Sequence, residues 1–413
     1  MIDFDEALRL ILGTGRRLEE ETVDLHFALG SVVAQSIVAD DDAVPFARSA
    51  MDGYAVRAAE CARATHAHPI ALLVAGLILA EEGESTLISG TALAITTGAP
   101  LPAGADAIIP HEKTERYGDM VRIFAPVTVG SSVFAPAEDI CSGDELLGAG
   151  ETIRPRMLAL LAFAGKAKLS VIKRPRVAIL CTGNELVDPS ATPGHGQIRN
   201  SNAIGLSALT VDMGGEPCDH GVAPDIPSVL AGMLNAARNQ ADLLITCGGA
   251  SQGEHDLVKP ALLELGAQFL FKNVAIRPGK PFGFARWGDL PVCVLPGNPA
   301  AAFVCFQQFV RPLLTKLAGN RMTGLPTVLA KLDGELHGRA GRRYFVLSRL
   351  KMTPEGFVVT PLVNQCSALV RTTADANSMV TVRETSEPAF ALRPGGFVDV
   401  EVLDWRSVFG GER

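Results

Sequence analysis

Three short loops hold residue types that could do chemistry: TGNEL (182–186), GGASQGEHD (248–256) and LPGNPAA (295–301). The first two follow apolar, strand-like runs; the third follows a hairpin pattern and opens a helical one. Glycine lets a ligand approach the main chain closely, and free backbone N–H groups at such loops bind anions such as phosphate. The candidate contacts are Gly248, Gly249, Ser251, Gly253, Pro296, Gly297, Asn298 and Pro299. An ordinary strand-to-helix turn uses glycine and asparagine too. Three such loops converging at one sheet edge weigh more than any one of them.

Acids lie beside these loops. Glu185 and Asp256 each fall just after a strand, Asp225 at an expected helix start, and Asp52 in a turn of SAMDGYA. Asp225 and Asp256 could equally be helix caps. Carboxylates next to a phosphate-binding loop typically hold Mg²⁺, whose charge offsets that of the anion. Cations come from IRPGKP, where Arg277 and Lys280 flank a Pro-Gly turn, and from GRRYF, with Arg342 and Arg343. An arginine fork suits a tetrahedral oxyanion. Thr97 in TTGAP is a loop hydroxyl. His66 and His68 have no other Cys or His near them in sequence, so no metal is expected there, and the eight histidines suggest no triad.

Composition sets the frame. The 413 residues are 47% hydrophobic and 20% charged, with 41 Gly and 26 Pro, which predicts several domains and a substantial β component. A net charge of −8 without a dense Lys/Arg run argues against nonspecific nucleic-acid binding. Local positive groups would have to overcome that field for an anionic ligand. The longest apolar run, 70–80, falls short of the roughly 20 residues of a membrane span. MIDFDEALRL has no basic leader. The eight cysteines form no C-x-x-C pair, and Cys181, Cys247 and Cys293 sit in or at the ends of apolar runs; a reducing cytoplasm is expected.

The elements that must position these groups follow from periodicity. Asp3 and Glu6 form a capping box before an apolar face of Phe4, Leu8, Ile11 and Leu12. A second helix is expected over about 24–39. Short apolar runs punctuated by Gly and Pro make 45–137 a β-rich insertion. Pro155 and Gly165 bracket a helix. Over about 175–318, strands and helices alternate, with a hairpin turning at Gly288-Asp289. That pattern predicts a doubly wound sheet with its ligand site at the strands' carboxyl ends. The last 90 or so residues read as a small barrel or sandwich.

Six motifs, MDGYA, TTGAPLPAGADAIIP, TGNEL, GGASQGEHD, RPGKP and LPGNPA, occur in this order. With them the chain resembles, over essentially its whole length, the molybdopterin molybdenumtransferase family, including the related domains of gephyrin and the plant molybdenum-insertion protein. The resemblance implies four domains: a molybdopterin-binding α/β domain (1–20 and 175–318), a linking domain (21–44 and 138–174), a β-rich insertion (45–137) and a C-terminal β-barrel (319–413). It implies a cytoplasmic homodimer that inserts molybdate into adenylated molybdopterin, releasing AMP with the help of Mg²⁺. A molybdopterin adenylyltransferase and molybdoenzyme-maturation proteins are the implied partners, with no nucleic acid and no membrane. Asp52, Thr97, Glu185, Asp225 and Asp256 match the family's functional positions, with Glu185 and Asp256 as metal ligands. Lys280 matches the second lysine of K-P-G-K-P, and Arg342 and Ser367 match oxyanion-binding residues. The chain departs from the pattern at Arg277 (a lysine in the family), at Cys366 (a glycine) and at FAPA before Glu138-Asp139, which replaces basic residues. A diverged paralogue and a non-catalytic molybdopterin-binding or scaffold dimer are the alternatives.

Overall fold

The computed structural model describes residues 1–81, 83, 85–249, 257–322, 324–384 and 389–409. Its central six-stranded sheet runs in the order Glu216–Ala223, Arg176–Thr182, Leu243–Cys247, Leu290–Leu295, Gly283–Trp287, Gln268–Phe271. The first four strands are parallel and the last two alternate in direction. Parallel strands are covered on both faces, so they read as continuous apolar runs such as RVAILC. Alternate residues of Arg176–Thr182 accordingly enter different cores. Val177, Ile179 and Cys181 pack with Ala203, Leu206 and Ala300. Ala178 and Leu180 pack with Leu230, Leu234 and Leu262. Arg176–Thr182, earliest of these strands in the chain, lies between the two that follow it, Glu216–Ala223 and Leu243–Cys247, so the winding reverses beside it. This opens a crevice at the carboxyl ends of Arg176–Thr182 and Leu243–Cys247.

The N-terminal helix, Phe4–Thr14, completes this domain. Asp3 Oδ1 accepts from Glu6 N at 2.8 Å, as a cap should. Phe4 packs against Phe309 and Phe345 with ring centroids 5.2 and 5.5 Å apart. The helix that starts at Pro299 has three parts: Pro299–Cys305, a π turn Phe306–Val310, and Arg311–Leu317. Pro312 explains the widened turn, because it cannot donate to the carbonyl four residues back.

Residues 24–39 are not helical. Glu20–Asp24 is a strand antiparallel to Lys168–Ile172, followed by a 3₁₀ turn at Leu25–Phe27 and the short strands Val32–Val33 and Ile37–Val38. Gly30, at φ +77°, breaks the run, and paired β-branched residues favour the extended chain that a distant strand completes. The insertion is a second six-stranded sheet containing Gly53–Val56 and Thr91–Ile95.

The C-terminal region is a closed barrel. Arg343–Thr353, Gly356–Pro361, Thr327–Leu332, Phe397–Val402 and Ser378–Val382 pair in turn, and the last closes on the first. Closure removes the exposed edges that a sandwich would leave. Phe345, Leu347 and Met379 of the barrel share a core with the α/β sheet, which docks the two bodies together. Among the described residues no helix is long and apolar enough to cross a membrane.

A buried acid marks this junction. Gln308, in the π turn, and Thr381 donate to the carboxylate of Glu401 on the barrel. Burial nevertheless pushes its carboxyl above the usual range. A raised folded value means stability present at low pH and lost as pH rises through that value. Glu401→Gln should therefore raise Tm by roughly 2–4 °C at pH 8 and little at pH 4. Equal shifts at both pH values in a thermal scan would contradict this.

Candidate functional site

The crevice is built by four loops that touch one another. After Thr182 the chain turns at Gly183, whose N–H donates to Ala223 O at 3.3 Å. The Glu185 carboxylate folds back over Gly183: a Cβ there would lie 2.4 and 2.6 Å from its two oxygens. Asn184 N donates to Asp225 at 3.3 Å, and Asp225 N donates to Asn184 Oδ1 at 3.1 Å. This reciprocal pair joins the first two loops. Asp225 is not a helix cap, because the following helix begins at Pro227 with Ile226 in the cap position and no side-chain cap bond. The Asn184 amide, not a helix end, takes up the carboxylate.

Gly248 and Gly249 follow with φ +100° and +57°. A Cβ on Gly248 would fall 2.4 Å from Thr182 O, and one on Gly249 2.8 Å from Val258. Gly248 N donates to Leu295 O at 3.3 Å, and a Cβ on Gly297 would lie 3.4 Å from Gly248 Cα. Asn202 donates to Gly297 O at 2.7 Å and approaches Cys247 Sγ at 3.2 Å. Cys247 Sγ donates to Pro296 O at 3.4 Å. Asn202 stands just inside the helix Ser201–Asp212, whose cap is Asn200, and its bridging role has no signal in the sequence.

The barrel reaches the same place. Asn298 Nδ2 donates to Ser367 Oγ at 3.1 Å, and Ala300 N to Ser367 O at 2.9 Å. This seats the 365–367 loop, with Cys366 exposed, on the helix that Pro299 opens. Lys280 precedes Gly283, which lies opposite Val294, so it stands at the carboxyl edge of Leu290–Leu295. Gly279 (φ +110°) packs so closely that a Cβ would meet Cys305 Sγ at 2.5 Å. Glu185, Asp225, Gly248, Gly249, Pro296, Gly297, Asn298, Pro299 and Ser367 therefore share one edge, and Lys280 joins it.

Other expected residues are elsewhere. The Arg277 guanidinium lies 6.0 Å from the Tyr344 ring and lines a cavity of about 510 Å³ with His337 and Gln365, on the barrel side. Arg343 is not a free cation for the site. It is bidentate to Asp5 at 2.8 and 3.0 Å, bonds Glu384 at 3.0 Å and covers the Phe4 ring at 4.2 Å. Arg342 beside it is half-exposed. Asp52 accepts from Thr97 N at 2.7 Å and Thr97 Oγ1 at 2.8 Å, bonds that hold its carboxyl below the usual range. Among the described residues, the insertion's backbone hydrogen bonds close on itself and on the linking segments, not on the crevice. The hydrogen bonds of the Asp52 carboxylate among the described residues run to Thr97 and not to the Glu185 loop. Ser251, Gly253 and Asp256 lie outside the described residues.

Among the described residues no group of three or more metal-ligating side chains forms a cluster. Glu185 nevertheless suits Mg²⁺, which takes one or two carboxylates and fills its shell with water and phosphate oxygens; Asp256, the other expected ligand, lies outside the described residues. The exposed Glu185 carboxylate fits that part.

Known proteins place this architecture. The family model for the MoeA N-terminal region (domain I and II) matches residues 2–165. That for a probable molybdopterin binding domain matches 178–316, and that for the MoeA C-terminal region (domain IV) matches 330–403. Molybdopterin molybdenumtransferase 2 of Mycobacterium tuberculosis is 35% identical over 392 residues, covering 93% of this chain and 96% of that protein. The molybdopterin molybdenumtransferase of Bacillus subtilis is 32% identical over 400 residues, covering 96% and 90%. The crystal structure of a molybdopterin biosynthesis moeA protein from Pyrococcus horikoshii superposes with a TM-score of 0.83 at 32% identity, covering 98% of this chain and 99% of that one. The chain belongs to the molybdopterin molybdenumtransferase family, a family of transferase enzymes.

Proposed function

We propose that this enzyme of molybdenum cofactor biosynthesis inserts molybdate into adenylated molybdopterin, releasing AMP and forming the molybdenum cofactor. The observation that carries the reading is the Asn298–Ser367 bond, which brings the barrel loop onto the strand-end loops of the α/β sheet. The main-chain N–H groups of Gly249, Gly297 and Asn298 receive phosphoryl oxygens, with Lys280 at their edge. Arg342 and Ser367 receive the tetrahedral anion, against the chain's net charge of −8. Glu185 and Asp256 would hold Mg²⁺, which would polarise the phosphoanhydride when bound. Asp52, kept ionised by Thr97, meets the crevice of a second copy in a homodimer. The enzyme works in the cytoplasm beside a molybdopterin adenylyltransferase and molybdoenzyme-maturation proteins.

The test is AMP release from adenylated molybdopterin with Mg²⁺ and molybdate; no release would refute the reading. In the same assay Arg342→Ala should raise the molybdate concentration for half-maximal rate by about tenfold, the loss of one charge-assisted contact. An unchanged molybdate dependence removes Arg342 from the oxyanion site. Arg277, turned toward the barrel cavity, and the exposed Cys366 are the features that favour a diverged paralogue, which would fail this assay.

A further inference from the structure

Among the described residues, two buried hydroxyls near the crevice, Thr182 Oγ1 and Thr246 Oγ1, have no hydrogen-bond partner. The residues are 5% and 0% exposed. A valine would fill the same space without burying an unpaired polar atom, so each hydroxyl calls for a reason. By strand alternation both side chains point to the face of Ala178, Leu180 and Leu244, away from Cys181 and Cys247.

Their positions along the strands separate them. Thr246 lies opposite Leu180 on one neighbour and Val294 on the other, inside the sheet. Thr182 is the last residue of its strand, one pair beyond Cys181–Cys247, where the glycine loop crosses. A Cβ on Gly248 would lie 2.9 Å from Thr182 Oγ1, and one on Gly249 3.1 Å. The hydroxyl thus rests against the bare loop backbone and makes no bond with it. A ligand oxygen seated on that backbone would come within reach of the hydroxyl, which would donate to it. A hydroxyl donor beside left-handed glycines suits an anionic oxygen.

We propose that Thr182 is a further ligand-contacting residue of the crevice, its hydroxyl donating to a phosphoryl oxygen held over Gly248 and Gly249. The nature of the ligand rests on the proposed function; the unpaired donor and its place do not. Thr246 has a structural position only.

The experiment is calorimetric titration of the full chain with AMP in the presence of Mg²⁺, alongside AMP release from adenylated molybdopterin. Thr182→Val should bind AMP about tenfold more weakly, with a Tm equal to or above that of the parent. Thr182→Ser should restore binding to within about twofold, and Thr246→Val should bind as the parent does. If Thr182→Val misfolds, the comparison of Thr182→Ser with Thr182→Ala gives the same reading. Equal affinity of parent and Thr182→Val, as expected if the hydroxyl holds only a resident water, overturns the inference, as does an absence of AMP binding by the parent. AMP binding that depends on Thr182 without any turnover by the parent overturns the proposed function and leaves Thr182 in place.

Discussion

Glu185→Gln is expected to lower AMP release on the order of 100-fold, equivalent to about 2.7 kcal/mol of transition-state stabilisation, with Tm unchanged to within ~2 °C. The side chain is exposed, so its removal leaves no cavity and no buried partner. Its carboxylate is turned back over Gly183 to the strand end, where charge can matter to an anion. Glutamine keeps the shape and removes the charge. The loss should come with a rise in the Mg²⁺ concentration needed for half-maximal rate. Turnover within about threefold of the parent at every Mg²⁺ concentration would take Glu185 out of the metal role.

Gly248→Ala is expected to destabilise the α/β domain by about 3 kcal/mol and to abolish turnover. Two costs combine. The φ of +100° is disfavoured for any residue with a Cβ, and that Cβ would sit 2.4 Å from Thr182 O, a main-chain atom that cannot swing away. Gly248 N also donates to Leu295 O, so the loop can shift only by breaking that bond. A urea midpoint equal to the parent's would show that the loop yields freely.

How far the sequence can be read depends on what positions each residue. RVAILC and LPVCVL are apolar throughout because both their faces are covered, and such runs announce themselves. The hairpin at Gly288-Asp289 is equally plain, with Gly288 at φ +67°. The 24–39 segment misled because its partner lies at Lys168–Ile172; local pattern cannot register a strand paired so far away. Asp225 misled only as a helix cap, because Ile226 takes that position, and Arg343 misled as a free cation, because Asp5 and Glu384 claim it. Asn202 carries no signal in the sequence beyond its place at a helix start. That three loops would meet was legible from topology. That the Glu185 carboxylate needs a bare Gly183 beneath it was not, since backbone dihedrals decide it.

The pairing of chain ends has a consequence for biogenesis. Phe4 and Ile11 bury against Phe309, Leu313 and Phe345, which leave the ribosome some three hundred residues later. The Phe4–Thr14 helix is synthesised well before its partners, and it waits with its apolar stripe in water while the insertion, whose contacts are nearer neighbours, can close first. During that interval the Phe4 and Ile11 face of the nascent protein is a client surface for chaperones. Maturation finishes when the C-terminal strands arrive to cover it.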